Sequence, residues 1–348
     1  MTVESSVSGL NIEDAPALMG YLRSRGILDV GEQPAIRNLE GGVSNRVVLV
    51  RPQSSPPFVL KQALEKLRVQ VDWFCTPTRI EREALALRYF SELAPPGAIP
   101  ALIFQDSGNH LLAMAEVPEP HENWKRMLLE GRLTADHVEQ FGVLLGSIHR
   151  RSSERKQELA ELFGDRAVFE ALRLEPYYGY TASQVPEAAG FLHQLIADTL
   201  ACRMSVVHGD YSPKNILVHH GKLVLLDYEV AHFGDPAFDI GFSMAHFFGK
   251  ANHLRSQRAE FAQAAVRYWQ SYLPCVSEQP WAADLEPRAV RHTLGCCLAR
   301  VAGRSPLEYL TPGERSVQRT AILAMFRQPP PSIEALMNEF VERIACPS

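Results

Sequence analysis

The chain has 348 residues, of which 46% are hydrophobic and 22% charged, and this is the composition of a folded globular protein rather than a disordered one. Its length suits two unequal lobes. The formal net charge of −5 excludes the general attraction to nucleic acid or to anionic membranes that basic proteins show. We find no secretory signal, no apolar run of about 18 residues and no C-x-x-C pair among the six cysteines, and we therefore expect a cytoplasmic protein without nucleic-acid or membrane partners. Nothing in the sequence indicates an oligomeric state.

The N-terminal part of the sequence predicts one helix followed by short strands. Apolar residues recur at helical spacing from Ile12 to Leu28. The stretch RIEREALALRYFSELA predicts a second helix, on which Glu81 and Glu83 point in different directions, so that only one of them can face the strand behind it. Apolar and β-branched runs predict strands at 36–39, 47–50, 58–61, 101–104 and 111–116.

The strand-like runs end near Val117, where the two prolines of the segment VPEPHE break the chain, and helical apolar patterns follow. We place the lobe boundary there, with an N-terminal lobe at 1–117 and a C-terminal lobe at 118–348. Apolar stripes such as the one from Val138 to Ile148 predict a mainly helical second lobe. Short strands within it are predicted at 205–207, 216–218 and 223–226.

Three polar residues of the second lobe, Asp210, Asn215 and Asp227, fall at the ends of these short strands, where loops present side chains to a site. Phosphoryl transfer from a nucleotide needs such groups: oxygen ligands for Mg²⁺ and a carboxylate that orients the attacking hydroxyl. Asn215 and Asp227 suit the metal, and Asp210 then remains for the hydroxyl. His208, which follows a buried strand, fits a packed structural role better than that of a base.

The first lobe carries the groups that phosphates need. Gly41 and Gly42, followed by Ser44 and Asn45, form a turn whose backbone N–H groups can approach phosphate oxygens, although such turns are also common in ordinary hairpins. Lys61 ends an apolar strand, and Glu83 lies on the following helix. A carboxylate so placed can hold the ammonium toward a phosphate, whereas either residue alone would more often be a surface charge.

The motifs HGDYSPKN, LVLLDYE and FGDPAFDIGF resemble the signature of the aminoglycoside phosphotransferase and choline kinase superfamily. The resemblance implies an α+β, two-lobed, protein-kinase-like fold, with an antiparallel sheet and one key helix in the N-terminal lobe and a larger, mainly α-helical C-terminal lobe. It also implies a division of roles. Asp210 is then the catalytic base, Asn215 and Asp227 bind Mg²⁺, Lys61 and Glu83 form the ATP-lysine pair, Glu116 and Val117 lie in the hinge that holds adenine, and Asp235 and Asp239 brace the catalytic loop.

Three further residues are candidates. Glu229 resembles the acidic residue that small-molecule kinases carry two positions after the metal aspartate, so it is a candidate for a second metal or a substrate contact. Arg300 and Arg304, four residues apart on an expected helix end, could bind an anionic or polyhydroxyl acceptor, although solvated charges are common at such positions.

The function implied is an ATP- and Mg²⁺-dependent kinase that phosphorylates a hydroxyl group of a small metabolite or antibiotic. A catalytically silent nucleotide-binding protein is the alternative from another class. The stretch LKQALEKLRVQVDWFCTPTRIERE is similar to methylthioribose kinases, but these lack the metal-binding asparagine that this chain keeps as Asn215. A methylthioribose-type sugar kinase is therefore a second alternative.

Overall fold

A computed structural model describes residues 9–39, 43–68 and 73–345. It divides the chain into two compact units. The first comprises Met1–Arg88 and Pro100–Val117, and the second comprises Tyr89–Ile99 and Pro118–Ser348. The expected α+β class is confirmed, with an antiparallel sheet in the first unit and a larger, mainly helical second unit.

The first unit is built on an antiparallel sheet. Its strands are β1 (Ala35–Asn38), β2 (Asn45–Arg51), β3 (Phe58–Ala63), β4 (Leu102–Asp106) and β5 (Leu111–Ala115). They pair in the order β1-β2-β3-β5-β4. All five lie where the sequence predicts strands, with bounds that differ by at most two residues. In the register, Lys61 of β3 stands opposite Val47 of β2 and Leu112 of β5.

Helix α1 (Ala15–Ser24) begins with Asp14, whose side chain caps it by accepting from the Ala17 N–H. Its buried residues join a core with one face of the sheet. That core consists of Ile12, Leu18, Leu22, Leu28, Val48, Val50, Phe58, Leu60, Leu111 and Ala113. Because side chains alternate along a strand, Leu60 faces this core and Lys61 points to the opposite face.

Helix α2 (Arg79–Leu93) follows the sheet's third strand in sequence, and its residues up to Arg88 belong to the first unit. Ile80, Ala84 and Leu87 are buried at the spacing that the sequence predicts. Glu83 is fully buried and Glu81 is exposed, so the expectation that only one of the two glutamates faces inward is confirmed.

The second unit consists mainly of helices, many of them amphipathic. They are α3 (Trp124–Leu129), α4 (Ala135–Glu154), α5 (Lys156–Leu162), α6 (Ala167–Phe169), α7 (Tyr180–Gln184), α8 (Ala189–Ala201), α9 (Pro236–His253), α10 (Arg258–Val276), α11 (Leu285–Ala302), α12 (Pro312–Phe326) and α13 (Ile333–Ala345). A π-helix, Glu170–Gly179, joins α6 to α7. The adjacent Cys296 and Cys297 are buried in α11.

Short strands of the second unit position the loops that carry Asp210, Asn215 and Asp227. They are β6 (His121–Asn123), β7 (Ser205–Val207), β8 (Ile216–His219), β9 (Lys222–Leu225) and β10 (His232–Gly234). Strand β7 pairs with β10, while β6, β8 and β9 form a separate antiparallel sheet. Among the described residues, no helix has both the length and the apolar character needed to cross a lipid bilayer.

Candidate active site

An ion pair in the first unit joins β3 to α2. Lys61 Nζ lies 2.5 Å from Glu83 Oε1, and the two side chains are 8% and 0% exposed. Lys61 reaches Glu83 because it points away from the α1 core, while α2 turns its buried face toward this side of the sheet. A carboxylate so placed can hold a buried ammonium in a fixed position, as binding of a phosphate group requires.

The turn that precedes β2 is anchored from α2. Gly41 and Gly42 lie outside the described residues, whereas Ser44 and Asn45 are described and buried. The Ser44 carbonyl accepts hydrogen bonds from the Arg79 guanidinium and from the Leu64 N–H, the latter at 3.0 Å. Sequence reasoning missed Arg79, which is 1% exposed and fixes the base of this turn.

Glu116 and Val117, expected to form the adenine-binding segment, follow β5. Glu116 Oε1 accepts from Arg51 Nη2 at 2.8 Å, and Val117 is buried. The Glu116 N–H donates to the Pro57 carbonyl at 3.4 Å. These contacts fix the start of the segment against the sheet, and its role toward a nucleotide stays a prediction.

In the second unit, Asp239 holds the loop that follows β7. Its carboxylate accepts the backbone N–H groups of His208 at 2.7 Å and Gly209 at 2.8 Å. His149 Nε2 lies 3.2 Å from the same carboxylate. Burial raises the pKa of Asp239, but His149 and His208 outweigh it and lower the pKa below its ordinary value. The carboxylate is therefore ionised and braces the loop through two hydrogen bonds.

His208 is fully buried and serves as an anchor of the loop. Its Nε2 donates to the Leu226 carbonyl at 3.2 Å, and its Nδ1 accepts the Asp210 N–H at 3.1 Å. Both ring nitrogens are thus used, which fixes the neutral tautomer. Burial lowers the pKa of His208, against the opposing charges of nearby carboxylates. This arrangement agrees with the packed role expected from the sequence.

Asp210 is held at one of its two carboxylate oxygens. Its Oδ2 accepts from Asn215 Nδ2 at 2.7 Å and lies 3.0 Å from Arg173 Nη2. Among the described residues, Oδ1 accepts no hydrogen bond. A carboxylate with one oxygen anchored and the other available can orient a hydroxyl group.

Arg173 is a second residue that sequence reasoning missed. It lies in the π-helix and also donates from Nε to the Gly209 carbonyl at 2.7 Å. Burial lowers the pKa of Arg173, but Asp210, Glu229 and Asp227 together raise it above its usual value. All three carboxylates therefore favour the charged form of this guanidinium, and Asp210 contacts it directly. π-Helical turns often occur at functional sites, but no sequence pattern predicts them.

Asn215, Asp227 and Glu229 are suitable ligands for a divalent cation. The Leu226 N–H donates to the Asn215 carbonyl at 2.9 Å, which places the residue before Asp227 beside Asn215. Carboxylate oxygens of Asp227 and Glu229 lie within 4.8 Å of each other. Because Asn215 donates its Nδ2 to Asp210, its Oδ1 is left for a cation. Mg²⁺ prefers such hard oxygen donors, so the residues present fit the ion.

Asp227 also has an unusual backbone conformation. Its φ is +70°, in the left-handed region that residues other than glycine rarely adopt. Strain of this kind persists where the surrounding structure enforces it, commonly at functional sites. It turns the chain sharply after β9.

Arg300 and Arg304 do not share a helix face, contrary to the expectation. Helix α11 ends at Ala302, so Arg304 lies beyond it and pairs with Glu175 at 3.1 Å. Arg300 is 8% exposed rather than solvated. Gly303, with an extended backbone at φ −86° and ψ −175°, ends the helix and separates the two arginines.

The comparisons with known proteins agree with this geometry. The sequence profile described as "Phosphotransferase enzyme family" matches residues 35–278. No curated protein matches the chain at the sequence level.

Kinases are among the solved structures with a similar fold. The amicoumacin kinase hAmiN, in complex with AMP-PNP, Ca²⁺ and Ami, has a TM-score of 0.53 and 15% identity, with 89% of this chain and 94% of that chain covered. A choline/ethanolamine kinase family protein from Mesorhizobium loti has a TM-score of 0.52 and 14% identity, with 94% and 99% covered. The choline kinase of Cryptosporidium parvum Iowa II has a TM-score of 0.58 and 11% identity, with 90% and 96% covered. At these identities the likeness establishes the fold alone.

Proposed function

We propose, from the premise that this chain belongs to the phosphotransferase enzyme family, that it is an ATP- and Mg²⁺-dependent kinase that phosphorylates a hydroxyl group of a small molecule. The family membership makes it a phosphotransferase. The donor, the metal and the small-molecule acceptor are the parts that we add.

Each unit contributes its own set of residues to the proposed reaction. In the first, Lys61, aligned by Glu83, binds phosphate oxygens of ATP, the turn at 41–45 offers backbone N–H groups, and Glu116 and Val117 bind the adenine. In the second, Asn215 and Asp227 hold Mg²⁺, with Glu229 as a further ligand. The bound ion neutralises negative charge on the phosphates.

Asp210 acts on the acceptor. Its Oδ1 accepts the hydrogen bond of the attacking hydroxyl and thereby aims that oxygen at the γ-phosphorus. Because the transition state of phosphoryl transfer is loose, the proton leaves late, and orientation is the larger part of the task. Arg173 and Asn215 keep the carboxylate in the required rotamer through Oδ2.

One observation carries the proposal: an anchored carboxylate with a free oxygen, at Asp210, next to a set of metal-type oxygen donors. A surface loop without chemistry would not need a buried guanidinium to hold its aspartate. The solved structure of hAmiN contains AMP-PNP and Ca²⁺, which supports a nucleotide and a divalent cation as ligands of this fold.

The test is phosphate transfer by the purified protein. We expect Mg-ATP and a panel of sugars, amino alcohols, nucleosides, hydroxy acids and antibiotics to yield at least one phosphorylated product, detected by mass spectrometry. The same panel with Asp210→Asn identifies any contaminating kinase, because that variant should form product at least about a hundredfold more slowly, whereas a contaminant would act at an unchanged rate. Nucleotide binding without transfer to any acceptor would favour the silent nucleotide-binding alternative.

A further inference from the structure

A group of buried basic side chains lies in the second unit, outside the loop that carries Asp210. His246 and Lys250 stand one turn apart on α9, and Arg300 extends from α11. Their exposed fractions are 4%, 0% and 8%. We call these three residues the cationic cluster.

Among the described residues, the cationic cluster has fewer hydrogen-bond acceptors than donors. Arg300 Nη2 lies 3.2 Å from His246 Nε2, and since arginine only donates, the imidazole carries its proton on Nδ1. That Nδ1 and Arg300 Nε are buried and have no partner among the described residues. Lys250 Nζ makes one long hydrogen bond among the described residues, 3.4 Å to the His246 carbonyl, and lies 5.4 Å from the centroid of the Tyr309 ring. Buried donors in this state cost free energy unless a ligand satisfies them.

No carboxylate among the described residues pairs with Lys250 or Arg300, whose polar contacts are to backbone, Ser305 and His246. Glu308, an exposed side chain that pairs with Lys125, is the acidic group that acts on Lys250. Burial, together with Lys125 and Arg300, lowers the pKa of Lys250 to about 7 against the opposing charge of Glu308. Arg300 and the protonated form of Lys250 therefore bring positive charge for which the described residues supply little compensation.

Further basic residues surround His246. Burial is the largest cause that lowers the pKa of this imidazole well below its usual value. The positive charges of Arg300, Lys250, Lys125 and Lys214 lower it in the same direction. Lys214 belongs to the 3-10 turn Pro213–Asn215 of the loop that carries Asp210, and its side chain is exposed. The basic groups thus extend from the buried cluster to the surface beside that loop.

Two aromatic rings connect the cluster with Asp210. The Arg300 guanidinium lies 4.9 Å from the ring centroids of both Tyr177 and Phe242. The Arg173 guanidinium lies over the same two rings, at 5.9 Å and 5.6 Å. Since Arg173 contacts Asp210, only these rings and Arg173 separate the cluster from the carboxylate proposed to aim the acceptor.

We propose that the cationic cluster binds an oxyanion, either phosphate or carboxylate, that is carried by the hydroxyl compound this enzyme phosphorylates. This inference rests on the proposed kinase function and specifies its acceptor as an acidic alcohol. Arg300 and Lys250 supply charge, and His246 Nδ1 supplies a neutral N–H donor. An amine acceptor would meet repulsion here rather than attraction.

The first experiment measures binding without turnover, with inorganic phosphate and acetate as probes. Each probe is titrated against the full chain by thermal unfolding, for wild type, Lys250→Met and Lys61→Ala. Methionine has a similar shape without charge, and replacement of a buried, unpaired charge by an apolar group preserves or raises stability. We expect a saturable rise in Tm for wild type and Lys61→Ala that is lost in Lys250→Met.

The Lys61→Ala variant distinguishes anion binding at the cluster from anion binding at the phosphate contact proposed for the first unit. The Lys250→Met variant measures the general salt effect of each anion on Tm. A response to phosphate alone identifies a phosphate-type group, and a response to acetate alone a carboxylate. Equal titrations of wild type and Lys250→Met with both probes would overturn the site.

The second experiment measures phosphorylation of four matched alcohols: glycerol, glycerol 3-phosphate, glycerate and choline. We expect an acidic member to be preferred over glycerol by about tenfold or more in kcat/KM, and Lys250→Met to remove that preference. Equal or better use of glycerol or choline would contradict the acidic acceptor while leaving the kinase function intact. Failure of all four, together with Lys250-dependent anion binding, would instead count against the kinase function and leave the anion site standing.

Discussion

Asp210 has two oxygens in different surroundings, so one oxygen of the carboxylate is held in place while the other is available to a ligand. Oδ2 is held by Asn215 and Arg173, whereas Oδ1 accepts no hydrogen bond among the described residues. Arg173 is itself fixed by its bond to the Gly209 carbonyl. The rotamer of Asp210 is thus determined by packed neighbours rather than by a substrate.

Asp210→Asn is expected to lower kcat by about 10²–10⁴-fold, because an amide neither orients a hydroxyl as an acceptor with full charge nor takes its proton. Binding of Mg-ATP should change little, since Asp210 contributes no proposed phosphate contact. Steady-state kinetics and nucleotide titration separate the two effects. Turnover at the wild-type rate would show that Asp210 has been assigned the wrong role.

Lys61→Ala should raise KM for ATP and reduce kcat/KM, because it removes the cation proposed to bind the phosphates and leaves Glu83 buried without its ammonium. Lys222→Ala is the matched control, since that lysine is exposed on β9 of the second unit. Circular dichroism checks that both variants fold. Unchanged kcat/KM for ATP in a folded Lys61→Ala would remove this residue from the nucleotide site.

At the scale of elements, the loop between β7 and β8 depends on backbone geometry as much as on side chains. Gly209 adopts φ +78°, and a Cβ added there would lie 3.0 Å from the Val230 carbonyl oxygen and 3.1 Å from Val230 Cβ. Glycine is therefore needed both for its conformation and for the close approach of β7's loop to the segment after β9.

Gly209→Ala should destabilise the fold by about 1–2 kcal/mol for the left-handed backbone, with a further cost for crowding, and should lower kcat. Gly221→Ala is the matched control, because Gly221 has φ +73° but open space around its Cβ position. Urea unfolding and kinetics of both variants separate backbone strain from crowding. If the two variants lose equal stability and both keep full activity, the contact with Val230 has no role in shaping the loop.

At the scale of the whole molecule, the order of elements and several site residues could be predicted from the sequence because they depend on local spacing. The pair Lys61 and Glu83 is of this kind: an alternating strand and an amphipathic helix fix which way each residue points. Asp210, Asn215 and Asp227 follow in the same way from the ends of short strands. Their positions are observed, while their roles toward ligands stay predictions.

Other site features could not be predicted, because long-range packing decides them. Arg173 approaches the loop from a π-helix that lies 36 residues before Gly209, and no periodicity marks such a turn. The burial of Arg300 depends on where α11 ends, and helix ends are the least certain part of a sequence reading. Lys250 looks like an ordinary helical lysine until its neighbours are known.

Buried carboxylates should make the stability of the second unit depend on pH. Asp235 is the N-cap of α9, pairs with Arg288 at 2.6 Å and lies 3.7 Å from His292 Nε2. Burial raises its pKa, but His292 and Arg288 outweigh burial and lower it to about 2. The pKa of Asp239 is lowered in the same direction.

A carboxyl group whose pKa is lower in the folded state stabilises the fold above its unfolded pKa of about 3.9, and this contribution disappears as the pH falls through the folded pKa. For Asp235 the shift corresponds to about 2–3 kcal/mol. His208 adds a further loss of folding stability below about pH 6.5. Burial lowers its pKa in the folded state, so the unfolded state binds the proton first as the pH falls. Stability should therefore decrease steadily on acidification from pH 7.

Asp235→Asn isolates one part of this pH dependence, because asparagine is an equally good N-cap but cannot ionise. We expect the variant to be less stable than wild type at pH 7 by about 1–3 kcal/mol, with the difference shrinking as the pH falls below about 4. Urea unfolding across a series of pH values measures both curves. A difference that is constant down to the lowest pH at which the protein stays folded would show that ionisation of Asp235 does not stabilise α9 against α11, and that its hydrogen bonds alone hold them.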